Sequence, residues 1–271
     1  MKRSLLACLA SATLARGVGE AAKRVSLPNW QRTSFNSKAV SLTGGAQVAL
    51  GILAGTFAIP DRRLRSASLI AVGTGAGAGY IDDHLESRFK AQGKGFHGHL
   101  GALKSGKITS GVAKIVIIGS GATLASVVLN YPRSLRDLFS TSVDAALIAG
   151  TANLVNLLDL RPGRALKVAL VSAGLSGTIA KSSHVVPASV VGSSLASLPA
   201  DLRGETMLGD LGANALGGQL GVMFARAMPI YGRCLALAGI IGLTGISEKV
   251  SFSHVIDNNS VLHFLDQLGR S

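Results

Sequence analysis

Asp82 and Asp83 stand side by side at the end of an apolar stretch, in Ala78-Gly79-Tyr80-Ile81-Asp82-Asp83, and a basic run follows at once. Adjacent carboxylates repel each other unless a cation sits beside them, so such a pair at a membrane edge points to a divalent metal, a general base or both. A solvated helix end is the plainer alternative. A second polar group is Asn153-Leu154-Val155-Asn156-Leu157-Leu158-Asp159, where Asn153, Asn156 and Asp159 are spaced by three and form one stripe on a helix. Carboxamides there suit a hydroxyl, amide or nucleobase, or else hydrogen bonds between buried helices. Asp159 is followed by Arg161, a Pro162-Gly163 break and Arg164, residue types that suit a phosphate-facing turn.

A third group is Gly209-Asp210-Leu211-Gly212-Ala213-Asn214-Ala215-Leu216-Gly217-Gly218. An Asp between glycines, opening a glycine-rich helix, suits a metal-bound phosphate, because the helix N-terminus is positive and glycine gives little steric cover. An ordinary Asp N-cap with close-packed glycines behind it is the structural alternative. The fourth group is the basic loop Arg88-Phe89-Lys90-Ala91-Gln92-Gly93-Lys94-Gly95-Phe96-His97-Gly98-His99. With Lys94 at its centre it suits gripping a diphosphate or an anionic lipid head, and it equally suits positive-inside charge. Gly93-Lys94-Gly95 lacks the glycine spacing and the Ser/Thr of a P-loop. His97 and His99 lack a third ligand for zinc.

The elements that must position these groups follow from composition. Only 15% of residues are charged, and 34 glycines are spread through Ala/Leu/Val/Ile stretches. Mean hydropathy is +0.41. These values predict an all-α polytopic membrane bundle, in which small residues let helix backbones approach closely. Scarce aromatics and the lack of period-2 alternation argue against a β-barrel. Apolar segments fall at 4–15, 44–60, 66–81, 108–130, 140–158, 168–180, 184–199, 212–225 and 230–246, giving about nine transmembrane helices. Residues 1–246 form the membrane domain. Residues 247–271 form a tail whose apolar spacing predicts an amphipathic helix on the membrane or against the bundle.

The first segment, behind Lys2 and Arg3, has signal-peptide features, but its apolar run before Cys8 is short for a lipoprotein box, so a retained first helix is expected. Cys8 and Cys234 lie in apolar segments and imply neither a disulfide framework nor a zinc site. The balance of Lys and Arg favours an N-terminus outside, against the objection of Asp61-Arg62-Arg63-Leu64-Arg65; Lys114 is left inside a span. This orientation puts every unusual acidic motif on the cytosolic face. The net charge of +13 sits in short loops and needs no nucleic-acid partner. Glycine-rich faces offer a homodimer contact.

Taken in order, the motifs resemble the polyprenyl-phosphate N-acetylhexosamine-1-phosphate transferase superfamily, which includes the phospho-N-acetylmuramoyl-pentapeptide transferases. Pro28-Asn29-Trp30-Gln31-Arg32 with Leu42-Thr43-Gly44-Gly45-Ala46 is similar to the family's first cytoplasmic loop, and Asp82-Asp83 to its adjacent aspartates. The stripe from Asn153 to Asp159 resembles its Asn-rich motif. Gly209-Asp210-Leu211-Gly212 through Gly218 resembles its Gly-Asp-x-Gly helix. The likeness covers roughly residues 25–220.

The resemblance implies a Mg²⁺- or Mn²⁺-dependent reaction at the membrane of a bacterium, in which a polyprenyl phosphate attacks the β-phosphate of a UDP-N-acetylhexosamine and releases UMP. It implies Asp82, Asp83 and Asp210 as catalytic residues, with Asp210 and Asp83 on the metal. It places Asn156 and Asp159 at the nucleotide-sugar site; Asn153, Arg161, Arg164 and Lys94, read above from their residue types, complete the expected substrate-binding set. Pro162 departs from the family, which commonly has an acidic residue there, and the family's histidine-bearing C-terminal loop has no counterpart in Ser247 to Ser271. That departure carries the competing expectation, a non-catalytic relative that binds polyprenyl phosphate or a partner as scaffold, regulator or lipid carrier. A transporter is a third option, against which no pair of matching halves is visible.

Overall fold

The computed structural model describes residues 1–33, 37–85, 109–179 and 184–270. Lys94 and the basic loop around it lie outside the described residues. The described residues are all-α apart from one small hairpin. Its helices are α1 (Lys2–Lys23), α2 (Thr43–Thr56), α3 (Arg62–Leu85), α4 (Ser110–Asn130), α5 (Leu135–Leu158) and α6 (Arg164–Ile179), followed by α7 (Val185–Leu202), α8 (Gly209–Ala227), α9 (Ile230–Ser247), α10 (Phe252–Asp257) and α11 (Ser260–Gln267). Strands β1 (Gln31–Thr33) and β2 (Ala39–Ser41) pair antiparallel with Arg32 opposite Val40.

Local chemistry marks several helix boundaries. Thr109 caps α4 by accepting from Val112 N at 3.1 Å, and Ser134 caps α5 by accepting from Asp137 N at 3.1 Å. Helix α4 ends at Tyr131 in the left-handed region, φ 47°, and the guanidinium carbons of Arg63 and Arg133 lie 5.2 and 5.1 Å from the centre of the Tyr131 ring.

Among the described residues five helices are long and apolar enough to cross a membrane, α1, α4, α5, α7 and α9. The other apolar segments become helices of different character. Helices α2 and α6, at 14 and 16 residues, are shorter than the roughly 20 a straight span requires. Helix α3 carries Arg62, Arg63, Arg65, Asp82 and Asp83 at its ends, and α8 carries Asp210, Asn214, Gln219 and Arg226.

Helix α8 is the axis of the bundle. Almost every residue from Leu211 to Ala225 is buried, with α3, α5 and α2 against it. Glycine makes this approach close: a Cβ on Gly75 would come within 2.6 Å of the Asn214 carbonyl oxygen, and one on Gly79 would overlap the Asp210 backbone. Helix α1 buries Ala7, Ser11 and Ala15 against α2 and α7. Helix α9 is peripheral, with Ile240 as its one buried residue. Besides packing along α5, it is held by an ion pair from Arg233 Nη1 to the fully buried Asp144, at 2.7 Å, and Asn130 Nδ2 donates to the same carboxylate at 2.8 Å.

Candidate functional site

The acidic motifs meet at the end of the bundle where α3, α5 and α7 finish and α2, α4 and α8 begin. Asp82 and Asp83 are neighbours in sequence, but successive helical residues point about 100° apart, so they serve different partners. Asp83 turns to α8. Its Oδ1 accepts from Asp210 N at 3.3 Å and its Oδ2 from Leu211 N at 2.9 Å. Asp159, at the C-terminal end of α5, accepts from Gly209 N at 2.9 Å. The first three N–H groups of α8 are therefore capped by carboxylates from two other helices. Asp210 does not cap its own helix: the N-cap position is Leu208, and no side chain of the helix closes it. Gly209 adopts φ 58°, which glycine takes without strain, and a Cβ there would sit 3.0 Å from Asp83 Oδ2.

Asp82 turns to α4. Lys114 Nζ lies 3.1 Å from Asp82 Oδ2 and 2.6 Å from Asp210 Oδ2, bridging the two carboxylates. The three side chains are 15 to 24% exposed, so the ammonium is largely withdrawn from water and held by its two partners. Asn214, one turn into α8, donates to the Asp210 carbonyl at 2.7 Å.

The first-loop motif closes over this end. Trp30 sits with its ring centroid 4.6 Å from that of His84, which stacks on Tyr80 at 4.5 Å. Leu42 N donates to the Trp30 carbonyl, and Met207 N donates to the Ser41 carbonyl at 2.9 Å, tying this loop to the approach to Gly209. A cavity of about 580 Å³ opens beside Asp159, its wall including Arg161, Asp201, Arg203, Gln267 and Arg270. Asp201 Oδ2 accepts from Gly163 N, while its buried Oδ1 has no partner among the described residues. Burial, reinforced by the Asp201 carboxyl nearby, pushes Asp159 well above the usual carboxylate range.

The sequence-derived residues thus divide. Asp82, Asp83, Asp159 and Asp210 come together. Asn153 and Asn156 lie half-buried on α5, with no side-chain hydrogen bond among the described residues. Arg164 is taken up elsewhere: Nε and Nη2 reach both oxygens of Asp266 at 2.8 and 3.1 Å, and Nη1 reaches Ser253. Arg161 pairs with Asp257 at 3.2 Å. The turn expected to face a phosphate is thereby bound to α10 and α11. His254 and His263 are exposed on the same tail.

Lys114 and Asp201 were not anticipated. Lys114 had a signal, as a lone cation inside an apolar segment; so had Asp201, which ends an apolar segment as Asp82 does.

The fit to a divalent ion rests on the donors. Among the described residues no group of three His, Cys, Asp or Glu side chains could hold one. Mg²⁺, however, is commonly held by one or two carboxylates with water and substrate phosphate completing its shell. Asp82 and Asp210, already converging on one ammonium, meet that need. Asp83, expected as a ligand, has both oxygens committed to backbone N–H groups, so the pair facing a cation is Asp82 with Asp210. No protein-family model matches the chain, and comparison with curated proteins finds no match. What fold and site define is a helical protein with five candidate membrane spans among its described residues and a carboxylate-lysine cluster at one end.

Proposed function

We propose that the protein is a multi-pass enzyme of a bacterial plasma membrane that transfers a sugar-1-phosphate from a UDP-N-acetylhexosamine to polyprenyl phosphate at the cytosolic face, starting a cell-envelope glycan or peptidoglycan lipid intermediate. The observation that carries this reading is convergence. Residues from four separate stretches, the first loop, Asp82-Asp83, Asp159 and the Asp210 helix, assemble at one end of the bundle, where a cavity opens beside Asp159.

In this reading Asp82 and Asp210 hold Mg²⁺ or Mn²⁺. When bound, the ion neutralises diphosphate charge and makes UMP a better leaving group. Asp83 and Asp159 fix the start of α8, and so set the position of Asp210. Lys114 supplies a cation beside the place where phosphate charge must enter. Asn153, Asn156 and the cavity at Asp159 present donors and acceptors to the nucleotide-sugar. The competing reading, a non-catalytic relative that binds polyprenyl phosphate or a partner, has one observation on its side: Asp82, Asp210 and Lys114 already satisfy one another.

The test is UMP release by purified protein in nanodiscs with polyprenyl phosphate, Mg²⁺ and a panel of UDP-N-acetylhexosamines. Metal-dependent release that disappears in Asp210→Asn is expected. Silence across the panel, with lipid phosphate still bound, would favour the non-catalytic relative.

A further inference from the structure

We propose that Lys114 is a built-in rival of the divalent ion: its ammonium takes the position between Asp82 and Asp210, and a metal binds this pair only by displacing it. The inference rests on the reading of Asp82 and Asp210 as the metal-holding pair, and it concerns how that pair is kept before the ion arrives.

Packing brings the two carboxylates together regardless of any ion. Asp82 ends α3 and Asp210 opens α8, and these helices are pressed into contact at Gly75 and Gly79. Two carboxylates in a largely dry site repel each other and need a cation. Lys114 is that cation. It enters from a third helix, one turn past the Thr109 cap, and touches both carboxylates at 3.1 and 2.6 Å.

Lysine suits the role because its charge is compact and its four-carbon stem is flexible. A metal that takes its place leaves the ammonium a few ångströms away, free to pair with an incoming phosphate oxygen. The same lysine therefore steadies the empty pair, weakens metal binding in the absence of substrate, and becomes a phosphate partner once displaced.

The test is Mn²⁺ binding to the full chain in nanodiscs, followed by the paramagnetic resonance of free Mn²⁺ without any substrate. Lys114→Met removes the rival and should tighten Mn²⁺ binding by about tenfold or more, the factor by which a dominant competing state lowers apparent affinity. Lys114→Arg keeps a cation between the carboxylates and should not show the gain. Adding Asp210→Asn to Lys114→Met should abolish the gain. Equal or weaker binding in Lys114→Met, or no Mn²⁺ bound in either protein, overturns the inference.

Acylation of Lys114 in the wild type provides a readout that requires no folded variant. Mn²⁺ should raise labelling of Lys114, read by mass spectrometry, and unchanged labelling would count against displacement. UMP release is scored separately: tightened Mn²⁺ binding without turnover keeps the rivalry and removes the transferase, and turnover with unchanged affinity does the reverse.

Discussion

Replacing Asp83 by alanine removes two hydrogen bonds at once from the N-terminus of α8, at 3.3 Å to Asp210 N and 2.9 Å to Leu211 N. The shorter bond, accepted by a charged group, is worth about 1.5–3 kcal/mol net. The longer bond adds a fraction of that, and the carboxylate at a helix N-terminus adds about 0.3–1 kcal/mol. A total near 3 kcal/mol is expected, since the site is only partly screened by water and no other described side chain caps these two N–H groups. For a chain of this size each kcal/mol moves the melting midpoint by roughly 2–4 °C, so Asp83→Ala should melt about 6–12 °C below wild type. Asp83→Asn keeps one acceptor oxygen and should lose about half as much. The assay is thermal unfolding in matched nanodiscs, followed by tryptophan emission from Trp30, the single tryptophan. A midpoint for Asp83→Ala within about 2 °C of wild type would refute the capping role, because the magnitude above leaves no room for so small a change.

The other predictions concern neighbouring contacts. Gly209→Ala puts a Cβ on a residue at φ 58° and 3.0 Å from Asp83 Oδ2, so it should cost about 1–2 kcal/mol from the backbone alone, read in the same melt. Arg164→Met leaves Asp266 buried without its bidentate partner and should destabilise the docked tail by about 3 kcal/mol; faster proteolysis between residues 252 and 270 is the readout. Burial raises the Asp266 pKa, but Arg164 and Arg270 outweigh it and hold the carboxyl below its usual range. The tail's docking should therefore be intact above the ordinary carboxylate pKa and be lost as pH falls below it, measured by the same proteolysis across an acid series. Asp159 has the opposite sign. Its raised pKa means the folded protein holds a proton that the unfolded chain releases, so this group's contribution to stability should decline as pH rises above the usual carboxylate value. Asp159→Asn should flatten that decline in pH-dependent melts.

Much of the bundle is legible in the sequence because apolar runs in a chain with few charges have few alternatives to helix. The segment read as 140–158 is the apolar part of α5, and that read as 230–246 is α9 almost residue for residue. Segment 168–180 starts late, because Arg164 and Lys167 look like loop charges until the tail that neutralises Arg164 is known. The hairpin of β1 and β2 is not legible in the sequence: three-residue strands carry no periodic signal, and β2 is tied through Ser41 to Glu205 and Met207, far later in the chain.

The aspartates of the site were legible because an uncompensated carboxylate in an apolar setting is costly and draws notice. Their division of labour was not. Asp82 and Asp83 differ by one helical step, and only the positions of α4 and α8 decide which meets a cation and which caps a helix. Lys114 lies 32 residues from Asp82 and 96 from Asp210, and Arg233 lies 89 from Asp144. No local spacing reveals pairs formed over such separations.

The most direct measurement is transfer of N-acetylhexosamine-1-phosphate, radiolabelled in the sugar, from the UDP-sugar into the organic phase by wild-type protein, with Asp210→Asn, Asp82→Asn and Asp83→Asn alongside. Metal-dependent label in the lipid, absent from the Asp210 and Asp82 variants and retained at reduced level in Asp83→Asn, is the result the account predicts. Transfer that persists undiminished in both Asp82→Asn and Asp210→Asn would contradict it.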